Sequence, residues 1–187
     1  MLTERFDEAL AYASRIHREQ RRKGTDIPYI SHLLGVASLA LEAGADEDQA
    51  IAALLHDAVE DQGGAERLAD IRARFGDRVA AIVDHCTDTD VEPKPPWRAR
   101  KEAYIASLAC KPPESLMVSL ADKTHNASAI LADLSRHGPA VWERFTGGKD
   151  GTLWYYAALV VSFDAQLPGH ATRRFAAMVA EMHVRAA

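Results

Sequence analysis

Ala52-Ala53-Leu54-Leu55-His56-Asp57-Ala58-Val59-Glu60-Asp61 combines a core-facing helical pattern with four side chains able to ligate a metal. With Ile51 just before it, the apolar residues Ile51, Leu54, Leu55, Ala58 and Val59 follow the i, i+3, i+4, i+7, i+8 spacing of a helix face turned toward a core. His56 and Glu60 are four apart, as are Asp57 and Asp61, so one continuous helix stacks the four side chains in two adjacent rows. Ala50, Ala52 and Ala53 leave little polar surface on the preceding turn, which makes the helix read as mostly buried. Buried carboxylates need partners, and a metal ion is the obvious one. The same residues also suit an amphipathic helix whose polar face meets water, so the choice turns on whether further ligands exist.

Upstream, Asp46 with Gln49 predicts a capping-box start for this helix, and Gly63-Gly64 predicts its end. A preceding helix is expected over 32–43, with Gly44 as its C′ residue. His32 then lies in the first turn of an apolar helix, a place that suits a hydrogen-bonded core histidine as well as a ligand. Phe6, Ala9, Leu10, Ala13, Ile16 and His17 mark a first amphipathic helix running to about Gln20. Between the two, Arg18, Arg21, Arg22 and Lys23 concentrate positive charge, either as a solvated helix end or as an anion clamp.

Downstream, helices are expected over 66–75 and 78–86, with His85 and Asp84 as surface or helix-end residues. The stretch 87–96, with Pro93, Pro95 and Pro96, reads as a long surface loop, either a substrate wall or disordered. Helix resumes over 97–109, and Arg98, Arg100 and Lys101 near its start oppose the helix dipole, as a bound anion would explain. After Pro112-Pro113 a long helix over 114–136 places Asp122 and Asn126 on one face beside its apolar stripe. A short turn over 141–145, a loop over 147–151 and helices from 152 to 166 and from Pro168-Gly169 to about 185 complete the chain. No alternating run of β-branched residues and no long repeat is present, so the fold class is all-α: a single domain over 1–187, a bundle of about eight to ten helices.

Composition narrows the function classes. The 187 residues carry 22 Lys and Arg against 27 Asp and Glu, a formal charge of −5 without a nucleic-acid or anionic-membrane footprint. No apolar run approaches the roughly 20 residues of a membrane span, and Met1-Leu2-Thr3-Glu4-Arg5 lacks the apolar core of a signal peptide. Cys86 and Cys110 have no metal-ligand spacing; they are expected to be reduced, buried thiols of a cytoplasmic protein.

A histidine at a helix start, an adjacent His-Asp pair and a distant helical Asp resemble the HD-domain metallohydrolases, an all-helical superfamily. The blocks RRKGTDIPYISHLLGVA, ALLHDAVED and LADKTHN, in that order across His17 to Asn126, resemble the hydrolase domain of the Rel/Spo alarmone enzymes, and most of all the stand-alone small alarmone hydrolases. The Glu60-Asp61 pair points to that branch.

The resemblance implies that His32, His56, Asp57 and Asp122 hold one divalent cation, typically Mn2+, a donor set suited to a borderline ion. It implies that Glu60 orients or deprotonates the attacking water, that Asp61 assists, and that Asn126 contributes a hydrogen bond. Arg22 and Lys23 match the basic loop that lines the nucleotide pocket. Lys101, Lys149 and Tyr155 match basic and aromatic residues near phosphate or sugar, and suit surface or packing roles equally. The implied reaction is hydrolysis of the 3′-pyrophosphate of ppGpp or pppGpp on a small-molecule nucleotide. The segment from Val83 to Asp90 departs from the Gly and Thr-Lys pattern common in the bifunctional enzymes, which leaves base recognition open. Hydrolysis without synthesis is the expectation. Two other readings stay open, a phosphatase acting on a ribose phosphate such as the 2′-phosphate of NADPH and a non-catalytic nucleotide sensor, as does the choice between monomer and homodimer.

Overall fold

The computed structural model describes residues 1–87 and 95–187. Its centre is α3 (Glu47–Leu55), which opens on a capping box: the Asp46 carboxylate accepts from the Gln49 amide at 3.0 Å, and the Gln49 side chain accepts from the Asp46 amide at 2.9 Å. Every residue from Gln49 to Leu55 is buried. That exceeds the single apolar face read from the spacing, because α3 is enclosed by α1 (Glu4–Ile16), α2 (Ile30–Glu42), α6 (Asp77–Cys86) and α8 (Pro113–His137).

The helix expected to run unbroken to Gly63 instead stops at Leu55 and resumes as α4 (Ala58–Gln62). The cause is local. His56 Nδ1 lies 2.9 Å from the Ala53 carbonyl oxygen, which accepts only, so the imidazole donates to the group a continuous helix would offer to the Asp57 amide. Asp57 relaxes to φ −96°, ψ −2°, and its carbonyl restarts the ladder by accepting from Asp61 at 3.0 Å. Gly63, at φ +129°, then turns the chain into α5 (Gly64–Phe75).

Two buried clusters flank α8. The first gathers α1, α2, α3, α5 and α6 around residues such as Leu33, Ile51, Leu55, Phe75 and Val83, and takes Val118 and Ala121 from α8. The second joins α8 to α7 (Trp97–Ser107), the 3-10 turn Leu108–Cys110, α9 (Gly148–Gln166) and α10 (His170–Ala186), using Leu116, Leu120, Ile130, Leu134, Phe163 and Phe175 among others. One helix therefore holds two cores together, and whatever it carries between them is placed by both. Among the described residues no strand forms; an isolated antiparallel bridge, Arg21 with Pro28, closes the basic loop.

Three expectations need correction. The loop read over 147–151 is largely the first turn of α9, and two of its glycines serve packing: a Cβ at Gly147 would fall 2.6 Å from the Trp97 indole, and one at Gly151 3.2 Å from it. The first helix ends at Ile16, four residues earlier than read. Contrary to expectation, neither thiol is fully buried: Cys86 is half-buried and Cys110, at the end of the 3-10 turn, is exposed; both are free. His85 and Asp84 do sit at a helix end, His85 Nδ1 being 2.9 Å from Ser115 Oγ. The loop read over 87–96 lies mostly outside the described residues.

Candidate metal centre

The break after Leu55 aims His56 and Asp57 into one place. His56 is 1 % exposed, and since its Nδ1 donates to Ala53, the neutral ring carries its lone pair on Nε2. That atom is buried and makes no hydrogen bond, yet it lies 3.0 Å from Asp57 Oδ2 and 3.6 Å from Asp122 Oδ1. His32, from the first turn of α2, brings its Nε2 to 3.4 Å from Asp57 Oδ2 and 3.3 Å from Asp122 Oδ1. His32, His56 and Asp57 form a group whose donor atoms all lie within 4.8 Å of one another.

Atoms each about 2.1 Å from a common ion lie roughly 3.0–3.4 Å apart for angles between about 90° and 109°. Three of the four separations, 3.0 to 3.4 Å, fall in that range, and the fourth, 3.6 Å from His56 Nε2 to Asp122 Oδ1, lies just beyond it; the buried Nε2 of His56, which makes no hydrogen bond, suits a ligand atom. Two imidazoles and two carboxylates fit a borderline divalent cation.

The electrostatics agree. Burial works against charge on Asp57 and Asp122, but the imidazole neighbours, and for Asp122 above all the Lys123 ammonium, hold both carboxyls well below the usual carboxylate range. His56 is driven the other way: despite burial, the two carboxylates raise its pKa well above the ordinary value. Without an ion the carboxylates draw a proton onto His56, and a cation would displace it.

Around these donors lies a cavity of about 610 Å³, a nucleotide-sized space, with Asp57, Glu60 and Asp122 in its wall. Arg22 and Lys23 reach it from the basic loop, and Arg100 and Lys101 from the start of α7, whereas Arg98 of the same turn pairs with Glu102 at 2.7 Å. Tyr155 lines it as well, with Lys101 Nζ 5.1 Å from its ring centre. Asn126 is held from both sides: its Nδ2 donates to Asp122 Oδ1 at 2.6 Å, and its Oδ1 accepts from Arg22 Nη2 at 2.6 Å.

Two of the predicted residues stand elsewhere. Lys149, in the first turn of α9, does not line the cavity; its ammonium donates to the carbonyl of Ala186 at the end of α10. Its place in sequence resembled a phosphate contact, but the helix beginning at Gly148 turns it toward the carbonyl end of α10. Asp61 is exposed outside the cavity lining, with its Oδ2 accepting from Gln20 Nε2 at 2.8 Å.

Sequence reading missed four residues. Tyr29 donates its hydroxyl to Asp57 Oδ2 at 2.6 Å, and burial, with the Asp57 charge, raises its pKa and keeps the proton on oxygen. Lys123 pairs with Asp122 Oδ2 at 2.7 Å and lies 4.8 Å from the Tyr104 ring centre; the Asp122 charge outweighs burial and raises its pKa well above the ordinary value. His125, its pKa pushed down to about 4 chiefly by burial, stands beside His32. Gln20 joins Asp61 to His17 and Gln62, both 2.6 Å from its Oε1. Lys123 and His125 fall inside the quoted block LADKTHN, which was the available signal.

Comparison with known proteins agrees with this geometry. A family model described as "HD domain" matches residues 9–153. The human and Drosophila melanogaster proteins named guanosine-3′,5′-bis(diphosphate) 3′-pyrophosphohydrolase MESH1 are 39 % and 36 % identical over 138 and 141 residues, covering 72 % and 74 % of each chain. A GTP pyrophosphokinase of Streptomyces coelicolor is 39 % identical over 123 residues, 65 % of this chain but 14 % of that protein. A solved structure described as a metazoan ortholog of SpoT that hydrolyses ppGpp superposes with a TM-score of 0.79 at 29 % identity over 97 % of both chains. The Listeria monocytogenes protein lmo0812 gives 0.71 at 32 % identity, over 81 % of this chain and 97 % of that one. A family match over residues 9–153, with relatives 36–39 % identical over nearly three quarters of each chain, places the chain in the HD-domain family, in the branch of the MESH1-type pyrophosphohydrolases.

Proposed function

We propose that this chain hydrolyses the 3′-pyrophosphate of guanosine 3′,5′-bis(diphosphate) and its 5′-triphosphate relative, giving GDP or GTP and pyrophosphate. The carrying observation is that Nε2 of His32 and Nε2 of His56 each lie within 3.6 Å of both Asp57 Oδ2 and Asp122 Oδ1, two carboxylates in the wall of a nucleotide-sized, cation-lined cavity. The relatives named for this reaction support the choice of substrate. The whole chain acts as one hydrolase unit, because α8 belongs to both cores. We place it in the cytoplasm, where guanosine nucleotides and free thiols such as Cys86 and Cys110 coexist.

His32, His56, Asp57 and Asp122 would hold a divalent cation, manganese in our reading, which would supply Lewis acidity and lower the pKa of water. Glu60, in the cavity wall, takes the proton of the attacking water. The water oxygen bonds to the phosphorus attached to O3′ as the P–O3′ bond breaks; that oxygen leaves in pyrophosphate, and O3′ recovers a proton. Asp61 assists Glu60 from the next position, anchored by Gln20. Arg22, Lys23, Lys101 and Lys123 offset charge on the phosphoryl oxygens, and Asn126 ties the Arg22 guanidinium to Asp122. Tyr155 supplies an aromatic wall for the nucleoside.

The test is parallel incubation of manganese-loaded protein with ppGpp and with NADPH. Pyrophosphate from ppGpp is the expected product. Orthophosphate from NADPH alone would make the enzyme a ribose 2′-phosphatase, and turnover of neither would leave a nucleotide-binding module.

A further inference from the structure

His125 is an imidazole that the proposed reaction does not use. It lies on α8 three residues after Asp122, and its Nδ1 is 2.9 Å from Nδ1 of His32, with ring centres 4.9 Å apart and planes at 56°. Two ring nitrogens at that distance share one hydrogen, so one donates and the other accepts. The opposite nitrogen of His32, Nε2, faces Asp57 and Asp122. If Nε2 is to give its lone pair to a cation, the ring hydrogen of His32 must sit on Nδ1. Nδ1 of His125 is then the acceptor, and its own hydrogen sits on Nε2.

The room for this ring comes from Gly35, one turn after His32 on α2. A Cβ at Gly35 would fall 2.2 Å from both Cδ2 and Nε2 of His125, closer than any side chain tolerates. Gly35 is not among the positive-φ glycines, so backbone conformation does not call for it, and glycine inside a helix is less stable than alanine. What it provides is a slot for the imidazole.

We propose that His125, seated against Gly35, is a positioning residue that holds the hydrogen of His32 on Nδ1 and so bares Nε2 to the metal centre, as the Ala53 carbonyl does for His56. This rests on His32 being a ligand in the proposed centre. Partners behind a ligating histidine commonly account for about 10- to 100-fold of metal affinity.

The measurement is Mn2+ affinity, read from the paramagnetic resonance of free ion, with thermal melts in chelator as the control for folding. His125→Leu removes the acceptor, Gly35→Ala fills the slot without touching an imidazole, and His125→Asn offers Oδ1 in place of Nδ1. We expect the first two to weaken binding at least tenfold, their double variant to be no weaker than the worse single, and His125→Asn to recover most of the loss. Unchanged affinity in both His125→Leu and Gly35→Ala overturns the inference, as does a defect in the double variant equal to the product of the singles. Independently of any variant, nitrogen-15 spectra of the histidines in Zn2+-loaded wild-type protein should show His125 with hydrogen on Nε2; hydrogen on Nδ1 overturns the inference. Asp57→Ala separates this inference from the reading beneath it. If Asp57→Ala loses the metal while the His125 and Gly35 variants keep it, only the role of His125 fails; if Asp57→Ala keeps the metal too, both fail.

Discussion

Lys123→Met tests the electrostatic account of the centre, because it removes one charge and keeps most of the aliphatic stem. The Lys123 side chain is 15 % exposed and its ammonium lies 2.7 Å from Asp122 Oδ2, with Asp122 9 % exposed. Breaking a buried pair by deleting one partner typically costs about 3–5 kcal/mol, since the other charge stays behind uncompensated. Here the two imidazoles beside Asp122 absorb part of that, so the lower end, about 3 kcal/mol, is the working value for the metal-free protein. At roughly 2–4 °C per kcal/mol for a chain of this size, Tm in chelator should fall by about 6–12 °C. A bound divalent cation compensates Asp122 from its other oxygen, so with saturating Mn2+ the same substitution should cost no more than about half of this. The assay is differential scanning calorimetry of both proteins in chelator and in Mn2+ at pH 8. An equal drop in both conditions, or a drop under 2 °C in chelator, would refute the idea that Lys123 and the cation share one carboxylate.

Asp57→Ala and Asp122→Ala should each abolish Mn2+ retention and turnover, whereas Glu60→Ala should keep the metal and lose about 10²- to 10⁴-fold in kcat; metal analysis beside steady-state rates checks both, and full activity in Glu60→Ala would sink its assignment as base. Gln20→Ala leaves the buried Nδ1–H of His17 without its acceptor, so it should destabilise the fold by about 1–3 kcal/mol and lower kcat with Mn2+ affinity unchanged, as read by denaturant melts and titration. Because His56 is raised in the metal-free protein, its stabilising contribution is complete below the ordinary histidine pKa and is lost as pH rises through the elevated value. Tm in chelator should therefore fall from about pH 6.5 upward while the gain on adding Mn2+ grows; a chelated protein that becomes more stable over that range would contradict it. Lys149→Ala should leave KM and kcat for ppGpp unchanged, whereas Lys101→Ala should raise KM several-fold.

The helices were legible wherever one face repeats and a Gly or Pro stops it, as at Gly44, Gly76 and Pro112-Pro113. The break after Leu55 was not, because nothing in apolar spacing records that an imidazole will take the carbonyl its own helix needs. Burial cost marks His56, Asp57 and Asp122 as polar groups that ask for a partner, but the set of four, His32 included, comes from the resemblance to the HD-domain hydrolases. The residues behind them carry no such mark. Tyr29 reads as packing and Lys123 as surface charge until the fold sets Tyr29 against Asp57 and buries Lys123 between Asp122 and Tyr104. Lys149 shows the converse: its charge and position resemble a phosphate contact, yet the direction of α9 takes it away from the cavity.

The placement of α8 explains why this chemistry needs both cores. Asp122 follows Ala121, which packs into the first core, and Asn126 precedes Ala127, which packs into the second. A carboxylate fixed only by the first core would share the rigidity of His32 and His56 but would have no hold on Tyr155 and Lys101 across the cavity. One fixed only by the second would drift relative to His32 and His56. Because a single helix spans both, any movement of α9 and α10 against the first core must pull Asp122 away from the two imidazoles or be resisted by them. A cation bound by all four residues therefore joins the two halves through α8, and its binding should stiffen residues in α9 far from any ligand.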